Sequence, residues 1–121
     1  MSDVPSLRDF FAAWTMTEDE GRDDKIASAF GETVYYTDPR TEAPLTDMAA
    51  LCGYVGQFLP MCPPGARVEV TDPVDVRNGH ARVTVKFIMS DEMQQTGQYF
   101  ADLDAAGQIT RLVGFVGKGA E

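Results

Sequence analysis

The chain has 121 residues, the size of one domain with a single core. Its 19 acidic and 10 basic residues give a net charge of −9, a field that repels phosphate backbones and anionic lipid, and the arginines are scattered rather than striped. These features argue against nucleic-acid and membrane partners; with no basic leader and no run near the roughly 20 apolar residues of a spanning helix, the expected location is the cytoplasm.

Leu7, Phe10, Phe11 and Trp14 fall at i, i+3, i+4 and i+7, the stripe of a first amphipathic helix. A polar run over residues 17–24 follows, in which an aspartate is expected to cap a short second helix carrying Ile26, Ala29 and Phe30, with Gly31 as its stop. Residues 33–37 are β-branched or aromatic and predict a strand, closed by Asp38-Pro39 because proline has no N–H for a ladder. Alternation places Val34, Tyr36 and Asp38 on one face of it. A carboxylate among apolar neighbours is how a general base is made, yet Asp-Pro equally starts a turn in which the aspartate accepts backbone amides. After a loop with Pro44, Thr46 or Asp47 caps a third helix whose Leu51, Tyr54, Val55 and Phe58 share a side, ended by Pro60, Pro63, Pro64 and Gly65. Cys52 and Cys62 have no second pair and no histidine at ligand spacing, so both read as reduced thiols without metal or disulfide.

From Arg67 the pattern becomes one of alternation. Residues 67–77 predict a strand interrupted at Asp72-Pro73, and Asn78-Gly79 is a two-residue hairpin signal. Residues 80–90 place Ala81, Val83, Val85, Phe87 and Met89 on a core face and His80, Arg82, Thr84, Lys86 and Ile88 on the other. A reversal at Asp91-Glu92, a strand over 94–103, a turn over 104–107 and a last strand over 108–116 complete an antiparallel meander. Helices followed by such a meander predict an α+β domain over residues 1–117, with 118–121 as a tail.

The order of these pieces resembles the nuclear transport factor 2-like superfamily, in its SnoaL-like and ketosteroid-isomerase-like branch. The likeness is carried by the aromatic first helix, the glycine before a short helix, the aromatic strand ending in Asp38-Pro39, and the helix from Leu51 to Phe58. Thr71-Asp72-Pro73-Val74 before Asn78-Gly79 and Leu103-Asp104-Ala105-Ala106-Gly107-Gln108-Ile109 before the last strand extend it over nearly the whole chain. It implies three helices packed in a strongly curved antiparallel sheet, a cystatin-like cone with an internal pocket. Members include isomerases, cyclases, dehydratases, epoxide hydrolases and non-catalytic binding modules, so fold transfers further than function.

The resemblance places Asp38 where ketosteroid isomerases carry the carboxylate that moves a proton between carbons. Trp14 and Tyr99 fall at the positions of their two oxyanion donors, where an indole and a phenol have replaced a phenol and a carboxylic acid. Both can still donate a hydrogen bond. The expected activity is cofactor-independent proton transfer next to a carbonyl, of isomerase or cyclase type, on a small apolar ligand. Asp38 would be the base, with Tyr99 and Trp14 steadying the oxygen. Tyr36, Tyr54, Phe58, Phe87, Met89, Leu112 and Val116 would line the pocket, although core packing alone also explains Trp14 and most of this wall. His80 follows the hairpin on the polar face, and alternation points Arg82 and Arg111 outward, which disfavours histidine-dependent dehydration and an Asp-Arg-Asp epoxide hydrolase. Arg40 follows a proline in a loop and is expected to reach solvent. The alternatives are a non-catalytic binding module and a dimerisation scaffold using an outer sheet face with Thr84, Ile88 and Arg111; a homodimer is expected in either case.

Overall fold

The computed structural model describes residues 4–61, 65–89 and 94–116. Helix α1 (Pro5–Ala12) starts on Pro5, whose missing N–H is one that the first turn leaves unpaired anyway, and it buries Leu7, Phe10 and Phe11 completely. The chain winds on as a 3₁₀ turn, Ala13–Thr15, which turns Trp14 inward. Helix α2 (Arg22–Ala29) follows a second 3₁₀ turn, Glu18–Glu20. The residue at its N-cap is Gly21 at φ 90°, not an aspartate: the chain enters from the preceding turn with left-handed backbone, which glycine adopts without cost. Phe30 leaves the helix in extended conformation and bridges Ile109.

The two-residue strand β1 (Tyr36–Thr37) is shorter than the stretch 33–37 suggested. It runs parallel to the last strand, Tyr36 opposite Leu112 and Thr37 opposite Val113, while its other edge meets Leu45 in an antiparallel bridge. The sheet is therefore mixed rather than wholly antiparallel. Helix α3 (Met48–Val55) is capped by Asp47, whose Oδ1 accepts from the Ala50 N–H at 2.8 Å.

The other four strands form the expected meander: β2 (Arg67–Arg77), β3 (His80–Ile88), β4 (Gln94–Leu103) and β5 (Ile109–Val116), giving the sheet order β1-β5-β4-β3-β2. Asn78 and Gly79 both have positive φ, as a two-residue hairpin turn requires. The ladder shifts register between Thr71 and Asp75, the bulge that Pro73 forces because it cannot donate. The expected reversal at Asp91-Glu92 lies outside the described residues, as do Cys62 and the tail. Among the described residues no helix is long and apolar enough to cross a membrane.

Three helices thus cover one face of a curved sheet in an α+β fold. Between them Phe10, Phe11, Ile26, Leu51, Val83, Val85, Ile109 and Leu112 are fully buried, with Ala81 close behind. Ile88 keeps the outer-face parity of Thr84 and Lys86, as expected, but is only 9 % exposed at the strand's end, where it pairs with Arg67 and Gln94 in the ladder. The outer face exposes Phe100 and Phe115 instead, at 44 % and 55 %, in an edge-to-face pair with centroids 5.7 Å apart.

Tyr99 depends on two glycines. It stands opposite Gly114 in the β4–β5 ladder, and a Cβ built on Gly114 would lie 2.5 Å from its Cε2; one on Gly97 would lie 3.3 Å from its Cε1. The phenol ring lies across the space where two side chains would stand. Gly114→Ala should therefore displace the ring and cost about 1–3 kcal/mol in denaturant unfolding, the usual penalty of overpacking. An unchanged midpoint would show that the ring does not need that space.

Candidate functional site

Asp38 closes β1 and is 9 % exposed. Its two carboxylate oxygens do different work. Oδ1 accepts from the backbone N–H of Arg40 at 2.9 Å and of Thr41 at 3.1 Å, which is the turn that Asp-Pro predicts. Oδ2 accepts from the Tyr36 hydroxyl at 2.6 Å and the Tyr54 hydroxyl at 2.7 Å, and Tyr54 is also 2.9 Å from Oδ1. Tyr36 reaches it because residues two apart in a strand share a face, and Tyr54 comes down from α3. These four donors solvate the carboxylate in place of water, as a buried charge requires.

Counting protons identifies the one left over. A phenol has a single proton to give, so Tyr36 and Tyr54 spend theirs on Asp38. Tyr99 lies with its hydroxyl 3.4 Å from that of Tyr36, too long for a strong O–H···O bond. With the Tyr36 proton on Asp38, the Tyr99 proton has only this one long bond, which makes it the least committed of the three. Burial pushes all three phenols above their ordinary range. For Tyr36 the coulombic effects of Tyr99 and Asp38 add to it; for Tyr54 the hydrogen bond to Asp38 comes next; for Tyr99 the bond to Tyr36 opposes the rise and the Asp38 charge adds to it.

A cavity of about 260 Å³ opens beside this network. Of the residues expected there, Asp38, Tyr99, Trp14, Tyr54, Phe58, Phe87 and Met89 line it. Tyr36 does not: it is completely buried behind Asp38 and supports the carboxylate from the core side. Leu112 does not either, because its place opposite Tyr36 in the ladder puts it in the closed end of the core. The side chain of Val116 lies outside the described residues. Trp14 contributes ring carbons: its Nε1 is buried with no hydrogen-bond partner among the described residues, packed amid Phe10, Phe11, Tyr54, Phe58 and Phe87.

The mouth carries polar groups that the sequence did not single out, Gln57 and Gln95 among them. Arg40, expected in solvent, lines the cavity and donates to Gln95 Oε1 at 3.4 Å. The turn over Asp38 explains this, since the Arg40 N–H is pinned to Oδ1 and the side chain leaves from that point. His80 does not line the cavity: its exposed ring bonds Asp102 at 2.8 Å on the outer face. Arg82 pairs there with Asp75 at 2.7 Å, and Arg111 lies over the Tyr35 ring. Cys52 is a buried free thiol, raised by burial first and by the Asp23 charge second. Among the described residues no three metal-ligating side chains gather.

No family model and no curated protein matches the sequence. Solved structures match the fold. A candidate isomerase of the SnoaL-like family from Agrobacterium tumefaciens superposes with a TM-score of 0.79 at 21% identity, over 94% of this chain and 96% of that one. A candidate ketosteroid isomerase from Kribbella flavida gives 0.68 at 20% identity, over 98% and 79%. A designed protein of the nuclear transport factor 2 fold gives 0.68 at 13% identity, over 96% and 85%. At such identities the likeness is one of fold.

The raised phenols make an alkaline titration informative. A group whose folded pKa is raised contributes stability that is complete below its unfolded value, about 10 for tyrosine, and is lost as pH rises through the folded value. Stability should hasten downward only above about pH 10 on account of these groups. In a phenolate absorbance titration three of the four tyrosines should ionise only together with unfolding. Ionisation of all four in the folded protein would contradict the network.

Proposed function

On a chain with the fold of the nuclear transport factor 2-like superfamily, we propose a small-molecule pocket that moves a proton at a carbon next to a carbonyl, with Asp38 as the base. The observation that carries this reading is that a carboxylate and a phenol held by one long bond line the same apolar cavity. Asp38 takes the proton from the α-carbon, and Tyr99 donates to the oxygen on which the enolate charge collects. Because ionised Asp38 already holds four donors, one must leave before it can act. Tyr54 is that donor: it lines the cavity, is only half-buried, and divides its proton between two oxygens, whereas Tyr36 is fixed in the core. A ligand displaces the Tyr54 hydroxyl and finds the Oδ2 lone pair behind it.

The same saturation favours a second reading, a binding module whose carboxylate only orients phenols. Deuterium exchange into β-tetralone, a small enolisable ketone, separates the two. Asp38→Asn should fold, since its amide oxygen still accepts from the Arg40 and Thr41 N–H groups, and should abolish exchange. Tyr54→Phe, which frees a lone pair on Oδ2 and removes no group that transfers the proton, should keep exchange well clear of the roughly 10²–10⁴-fold loss that removing a general base brings. Binding of β-tetralone by the parent without exchange would establish the module instead.

We also propose that two copies pair through the outer sheet face. Phe100 and Phe115 are exposed on it, Phe115 at the end of β5 where it also borders the cavity, and Arg82–Asp75 and Arg111–Asp102 add both signs of charge to the same strands, as a self-complementary twofold interface needs. Sedimentation at high micromolar concentration should show a dimer, and Phe100→Glu a monomer. A monomeric parent would rule the interface out.

A further inference from the structure

We propose that the ligand of this cavity carries a carboxylate on a small apolar body, and that Arg40 selects it at the mouth. This rests on the pocket reading above and adds its substrate class: taken together they describe an enolisable keto acid. Arg40 lines the cavity beside Gln57 and Gln95, yet its guanidinium makes one long bond, 3.4 Å, to the neutral Gln95 and no ion pair among the described residues. The guanidinium therefore faces the cavity with most of its donors uncommitted to a carboxylate of the described residues. Its planar fork matches a carboxylate through two parallel N–H···O bonds, which a lysine cannot reproduce.

The other charge near the site is Asp38, and its position sets the ligand's orientation. Asp38 lies deep, its oxygens engaged by Tyr36, Tyr54 and two backbone N–H groups, while Arg40 is exposed at the rim. A ligand carboxylate is repelled from the deep end and drawn to the rim, so the apolar part enters first, between Trp14, Phe58, Phe87 and Tyr99. The Arg40 charge is felt inside: burial raises Tyr54 and Tyr99, and Arg40 opposes the rise at both.

Naphthylacetate and naphthylacetamide test this, since they share a shape and differ by one charge. Binding is followed by the fluorescence of Trp14, the only tryptophan, and by calorimetry at low salt. The parent should bind the acid about tenfold tighter than the amide, the order of magnitude of one charge-assisted contact. Arg40→Gln should remove that preference and leave amide affinity within about twofold, and Arg40→Lys should restore part of it. Equal affinity for acid and amide in the parent, or a preference that survives in Arg40→Gln, overturns the proposal while leaving the pocket and its exchange chemistry intact. If neither compound nor β-tetralone binds, the pocket reading fails and this one with it.

Discussion

The structure depends on holding one nearly buried carboxylate with donors of its own. A carboxylate withdrawn from bulk water costs several kcal/mol unless it is hydrogen-bonded, and the protein offsets this with two phenols and two backbone N–H groups. That requirement draws separate parts of the chain to one point. The turn after β1 supplies the amides, β1 itself supplies Tyr36, α3 supplies Tyr54, and β4 approaches through Tyr99. Removing any one donor leaves a buried acceptor short, so the site is part of what fixes α3 against the sheet.

Asp38 also shows how one residue can open a turn and face a pocket. Asp-Pro as a turn opener and aspartate as a functional carboxylate look like alternatives on paper. In the fold each takes one oxygen: Oδ1 caps the turn, Oδ2 faces the phenols. What was legible in the sequence was local. The i, i+3, i+4, i+7 stripe gave α1, Asn78-Gly79 gave the hairpin, and alternation gave the buried Ala81, Val83 and Val85. Strand β1 was read too long and its parallel pairing was not foreseen, because its neighbours Leu45 and Leu112 are set by the loop and by β5. Nothing in residues 33–37 encodes either.

The same distinction runs through the site. Asp38, Tyr54, Phe58, Phe87 and Met89 could be named from their faces, because periodicity decides which way a side chain points, while Tyr99 was implied by the family resemblance. It does not decide depth. Tyr36 and Leu112 share the inward face and end in the closed end of the core, while Gln57 and Gln95 come to the mouth from the ends of elements, where periodicity has no hold. Gly97 and Gly114 were no signal singly, yet their pairing across β4 and β5 is what lets the Tyr99 ring lie against the sheet. That pairing is a fact of register.

Charge acts on this protein at two ranges, and they point in opposite directions. At long range the net −9 repels anions, but salt screens it within roughly 8–10 Å under physiological conditions. At contact the nearest charges decide, and at the mouth stands the guanidinium of Arg40, a residue whose backbone N–H is bonded to Asp38. The turn that solvates the carboxylate is thus the turn that delivers the arginine to the rim. A negative group deep inside and a positive one outside make the cavity a dipole, and a ligand with an apolar end and an anionic end has one way to enter it.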